Sequence, residues 1–142
     1  MYNIVQKFHS GWAYIALLLL VFAVVNSFLG KSSKREFTAK DRKIALFGLI
    51  ATHIQLVIGL ILYFVSDLGI KQLSGAAMKN AELRLTVLEH PLINIIAIVL
   101  ITVGWSKHKK AGTNEAKFNS IFIFYSLGLL LILSRLPWKL WF

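Results

Sequence analysis

Four stretches of this sequence are almost free of charge, and they leave the chain little choice of fold. Residues 8–30, 44–66, 85–106 and 118–134 hold 23, 23, 22 and 17 residues, and Glu89 is the only Asp, Glu, Lys or Arg among them. An α-helix needs about 20 apolar residues to cross a hydrocarbon core. In lipid every backbone N–H and C=O must be paired within the segment or in a closed barrel, so runs of this length are read as spanning helices despite their Val and Ile content. The fourth run reaches that length only when extended to about residue 136, past Arg135. The expected fold is all-α: an integral membrane four-helix bundle, up-down-up-down. It forms one transmembrane domain over residues 1–142, with spans at about 8–30, 44–66, 85–106 and 118–136.

Composition agrees. The chain is 57% hydrophobic, against roughly 45–50% for a soluble domain, so the lipid bilayer is the expected partner. Its formal charge of +10 would suggest nucleic acid on a soluble chain; here topology and attraction to anionic lipid account for it, and no nucleic acid is expected. The absence of cysteine excludes disulfides, thiolate metal centres and covalent haem attachment. The first apolar run is too long and too weakly flanked for a cleaved signal, and it is expected to remain in the mature chain.

Orientation follows from the loops, because Lys and Arg are retained on the cytoplasmic side. Residues 31–43 carry six and residues 107–117 carry four, against three between Asp67 and Arg84 and one before the first span. Both basic loops fall on one side, which places the N-terminus, the 67–84 loop and the C-terminus outside. The expected location is a bacterial inner membrane. Tyr2, Trp12, Tyr63, Trp138 and Trp141 then gather at the outer interface, where amphipathic rings prefer to lie.

Ionisable side chains at membrane depth are costly, so each asks for a partner or a task. His53 lies near the centre of the second span, His90 lies in the third beside Glu89 and Pro91, and His9 begins the first. Helical spacing places His9, Ala13, Ala16, Ala23 and Ser27 on one stripe, and Thr86, His90, Asn94, Ala97, Ile101 and Gly104 on another. Small and polar stripes mark helix-packing surfaces, so His9 and His90 are expected to face the bundle interior. Gly48, Thr52, Gln55 and Gly59 form a packing stripe on the second helix, with His53 about 100° away from it. His108, among lysines, reads as a solvated loop residue.

Neutral imidazoles in an apolar bundle are the axial ligands of b-type haem, and cations near the membrane edge can meet its propionates. His53 with His90 is the favoured ligand pair, although His90 is roughly 8 Å nearer the outer surface at a 1.5 Å rise per residue. His9 is the reserve. Arg84 and Arg135 are candidate propionate partners, and Glu89 a candidate acceptor that orients an imidazole or relays protons. The alternative for His53 is a hydrogen bond across helices to Asn94 or Ser126; for Glu89 and His90 it is a polar clasp that fixes register.

The whole chain resembles a family. HSGW (9–12), AxHxQLxxGLxLYFVS (51–66), MKNAELRxxxxEH (78–90), IAIVLITxGxSKxKKA (96–111) and LLLILSRLPW (129–138) are similar to the small four-span Bacteroidetes proteins labelled "cytochrome B". The resemblance implies haem and electron transfer, with family positions at His9, His53 and His90. Gly11 departs from it: an Arg is expected there, which argues against an anion site at the start of the first helix.

Three functions follow from the residues. The first is a haem b protein, accepting electrons from quinol or serving a larger respiratory complex. The second is a non-catalytic accessory subunit whose polar residues only fasten helices, and the third is a His/Glu metal site near the outer face using His9, His90 and Glu89. No nucleophile–base pair or nucleotide loop can be traced, so hydrolase or transferase chemistry is not expected.

Overall fold

A computed structural model describes residues 2–138, and they fold as the four-span bundle. Helix α1 runs Tyr2–Ser32 and α2 Ala39–Val65. A 3₁₀ turn and two four-residue helices, α3 (Gly75–Met78) and α4 (Ala81–Arg84), cross the end of the bundle opposite the lysine-rich loops. A π-helical turn at Leu85–Glu89 joins α4 to α5 (His90–Lys110), and α6 runs Asn114–Ser134. The helices outrun the apolar segments at the lysine-rich end, where backbone pairing continues into the interface. The fourth helix stops one residue before Arg135, with Pro137 beyond it.

Local chemistry sets these limits. Asp41 at the third position of α2 accepts the Thr38 backbone N–H (2.9 Å) and hydroxyl (3.0 Å), closing the helix start as in a capping box. The Thr113 hydroxyl accepts from Ala116 N at 3.1 Å at the start of α6. Asp41 is only 3% exposed and also takes Arg35 Nη1 at 2.7 Å and Asn26 Nδ2 at 3.0 Å. Asp41→Ala is therefore expected to lower stability by about 2 kcal/mol, less than for a fully buried pair because Arg35 is partly solvated. Thermal unfolding in detergent measures it, and a change below about 0.5 kcal/mol would show the network to be passive.

Helix α1 packs on α2 and α6, and α5 on α6, whereas α2 and α5 meet more thinly and α1 and α5 stand diagonally. The shared core is Leu20, Ala23, Ala45, Ala97, Ile101, Ile121 and Tyr125. The Tyr125 hydroxyl donates to Ala45 O at 2.8 Å, so its buried oxygen is paired. Outward faces carry large exposed apolar side chains, such as Leu18 at 69% and Leu130 at 64%. Lipid is the solvent that such a surface fits, and the chain is a multi-pass membrane protein.

Two expectations change here. His108 is 1% exposed, not solvated: its Nδ1–H donates to Trp105 O at 2.6 Å, and its ring packs 4.5 Å from Trp105 and 5.3 Å from Phe37. Phe37, in the short connection 33–38 between α1 and α2, folds back over the end of α5 and covers it. The aromatic belt is also less simple. Trp12 donates to Ala51 O at 2.9 Å and Tyr63 to Val87 O at 2.8 Å, so both fasten helices. Trp141 lies outside the described residues.

Candidate functional site

Between the diagonal helices α1 and α5, where α2 and α5 part, the bundle forms a half-open cavity of about 300 Å³. Its floor is Ala16, Leu20, Leu56, Ile98 and Ile132, and its polar wall is His9, Gln55, Tyr63, Thr86, His90 and Asn94. Leu68, Gly69, Leu136 and Pro137 place its mouth at the end of the bundle where α1 begins and α6 ends.

The two stripes bring His9 and His90 together, with ring centroids 6.3 Å apart and planes nearly perpendicular at 83°. His9 has room because α2 presents Gly59: a Cβ there would sit 3.0 Å from the imidazole Cε1. Gln55, one turn earlier, donates Nε2 to His9 O at 2.8 Å. His9 Nδ1 and Gln55 Oε1 are nonetheless buried without a hydrogen-bond partner. Both atoms are left for a partner from the cavity, a water or a bound group.

His90 owes its position to the proline that follows it. Pro91 has no N–H for Val87 O, and its ring crowds that carbonyl. The turn widens to π geometry, with His90 N–H bonded to Leu85 O, and π turns of this kind recur at functional sites. The freed Val87 carbonyl is taken by the Tyr63 hydroxyl. Tyr63→Phe is expected to cost about 1–3 kcal/mol, the penalty of an unsatisfied buried carbonyl. Adding Pro91→Ala, which restores the N–H, is expected to recover part of the loss in a double-mutant cycle of thermal midpoints. Strict additivity of the two changes would contradict this pairing.

The His90 ring is held from behind: its Nδ1–H donates to Arg135 O at 2.9 Å, which leaves Nε2 as the bare nitrogen. Asn94 Nδ2 donates to His90 O at 2.6 Å. Glu89 is turned to cations, with Arg84 Nε at 2.9 Å and Arg135 Nε at 3.7 Å. The acceptor that orients His90 is thus a backbone carbonyl of the α6 end, not the neighbouring carboxylate, and both arginines are already engaged by Glu89.

His53 is elsewhere. It does not line the cavity; its Nδ1–H donates to Leu49 O at 2.7 Å, and its Nε2 lies 3.3 Å from the Thr102 hydroxyl of α5, which it shares with Ile98 O at 2.7 Å. The favoured pair of histidines is not assembled in one place, because the rotation of about 100° that separates His53 from the Gly48–Gly59 stripe turns it to the α2–α5 seam. The cross-helix bond expected as its alternative role is present, with Thr102 in place of Asn94 or Ser126. Among the described residues, no group of three or more His, Asp or Glu side chains is arranged to hold a metal ion. Gln55 and Tyr63 were not singled out for the site by their chemistry. Gln55 lies four residues before Gly59 on the same stripe, which was the available signal; the partner of Tyr63 depends on a proline 28 positions away.

Comparison with protein-family profiles, curated proteins and solved structures yields no match.

Proposed function

We propose that this chain is a b-type haem protein of a bacterial inner membrane that carries single electrons, with His9 and His90 as the axial pair. One observation carries the reading: two imidazoles from diagonal helices converge at 6.3 Å in a cavity between them. Two imidazoles that would share one metal, each through a nitrogen about 2 Å from it, need a separation of this order. The bonding of His90 Nδ1 to a backbone carbonyl is the habitual arrangement behind a metal-ligating histidine, and the unpartnered His9 nitrogen leaves that ring available.

When bound, haem supplies reversible one-electron chemistry at iron, and the protein tunes it through ligands, hydrogen bonds and polarity. His9 and His90 would hold the metal. Arg135 O fixes the tautomer and plane of His90. Leu20, Leu56 and Ile98 keep water from the site, while the Glu89–Arg84–Arg135 cluster leaves one net positive charge near its mouth. The lysine-rich loops at the opposite end support an outer-side mouth by the positive-inside rule. Electrons then come from quinol or from a partner in a larger complex, as the resemblance to the "cytochrome B" proteins also suggests.

The full chain, purified in mild detergent from cells supplied with haem, is expected to show a Soret band and the sharp reduced α band of six-coordinate iron, at one haem per chain. A colourless preparation that takes up no haem on titration would defeat the reading. It would favour the accessory-subunit alternative, which the His53–Thr102, Trp12–Ala51 and Tyr125–Ala45 fasteners support.

A further inference from the structure

The lysine-rich face holds a second concavity, about 280 Å³, where the end of α1 meets the start of α6. Gly30, Lys31, Lys34, Arg35, Glu115 and Phe118 line it. Its base is the Phe118 ring, which packs where a Cβ on Gly30 would stand, 2.4 Å from two ring carbons. No side chain from residue 30 fills the space. Arg35 lies over the same ring at 4.9 Å, with its charge taken up by Asp41. Lys31 is held at the rim by Asn119 Oδ1 (2.7 Å) and over Phe122 (5.9 Å).

Lys34 is the unusual member. Its φ of 53° is left-handed, which for a residue with a Cβ is disfavoured and which glycine adopts freely. The chain needs this conformation. Lys34 N bonds to Lys31 O and Arg35 N to Gly30 O, both at 3.2 Å, the pair of bonds that ends a helix in a Schellman motif, whose left-handed position is usually glycine. A lysine there tolerates strain and gains no ion pair among the described residues. Strain kept at one residue points toward a use for its side chain.

We propose that this pocket binds the phosphate group of an anionic phospholipid in the leaflet on the lysine-rich side, with Lys31 and Lys34 as its charge partners. The level of the site favours a lipid over a free anion. Phe28, 51% exposed, lies about one turn below Lys31, beside the same Phe122 ring, and offers an apolar surface for an acyl chain. Basic pockets between helices at this depth are where anionic headgroups are held. Glu115 opposes the charge and sets the affinity from the other side.

The test uses the full chain in neutral detergent, titrated with phosphatidylglycerol, phosphatidylcholine or inorganic phosphate at constant ionic strength, with retained lipid counted by native mass spectrometry. Phosphatidylglycerol is expected to bind and phosphatidylcholine not. Lys34→Gly is expected to raise the thermal midpoint by a few degrees while weakening phosphatidylglycerol about fivefold. Glu115→Gln is expected to tighten it, a gain that general damage to the fold would not produce. Equal retention of the two lipids, or a stabilised Lys34→Gly variant with unchanged phosphatidylglycerol affinity, would overturn the proposal. Inorganic phosphate binding as tightly as the lipid would overturn the lipid assignment.

Discussion

His90→Ala is expected to abolish the Soret band of the purified protein, and His9→Ala to leave at most a weakened, five-coordinate spectrum, while His53→Ala leaves it unchanged. The order follows from how each ring is held. His90 is fixed on both sides, by the π turn that aims it and by Arg135 O behind it. Removing an outer partner of a metal ligand already costs 10–100-fold in affinity, so removing the better-anchored ligand is expected to cost more than about 100-fold. His9 is seated against Gly59 and has no hydrogen bond to its buried Nδ1. Its loss still leaves His90 to hold iron from one side. His53 spends both ring nitrogens on Leu49 O and Thr102, so its truncation loosens the α2–α5 seam without touching the cavity. Absorbance at one haem per chain, normalised to folded protein, reads all three variants. Loss of the chromophore in His53→Ala with retention in His9→Ala would restore the His53–His90 pairing.

That contrast marks how far the amino-acid sequence could be read. The four spans were legible because length and apolarity are properties of a segment by itself, and the stripes through Ala16, Ala23, Ala97 and Ile101 are buried as helical periodicity requires. The choice among three histidines was not legible in the same way. The rotation of His53 away from the Gly48–Gly59 stripe could be read from spacing, but the π turn at Leu85–Glu89 that brings His90 beside His9 could not. Only Pro91 hints at that turn, and a proline alone does not say whether a helix kinks, widens or stops. His108 was misread for a related reason. Its neighbours in sequence are lysines, but its neighbours in space are Trp105 and Phe37, and Phe37 comes from a loop more than seventy residues earlier. The role of Arg135 was half legible: its position at the mouth was expected, but its backbone carbonyl, which any residue would supply, is what meets His90.

The site therefore depends on the seam between α5 and α6, and Gly128→Val is expected to damage both stability and the site. A Cβ at residue 128 would stand 2.6 Å from Ile101 Cγ1 and 3.0 Å from Ala97 O. Ile101 is fully buried and a helical carbonyl cannot swing aside, so the helices themselves must move apart. Membrane helices lack a hydrophobic drive to associate and rely on such close approach, which is why glycine sits at the contact. Overpacking of this kind costs about 1–3 kcal/mol for ordinary cores; the upper end, about 3 kcal/mol, is expected where one of the clashing atoms belongs to the backbone. Leu130→Val, two residues away on the 64% exposed lipid face, is expected to change stability by less than about 0.5 kcal/mol. The functional consequence is separate from the loss of stability. Arg135 O ends α6 and His90 begins α5, so parting these helices lengthens the 2.9 Å bond that orients the imidazole. At temperatures where the Gly128→Val chain is still folded, its haem affinity is expected to fall about 10-fold or more, as for other lost partners of metal-ligating histidines. A destabilised variant with wild-type haem affinity would separate the seam from the site.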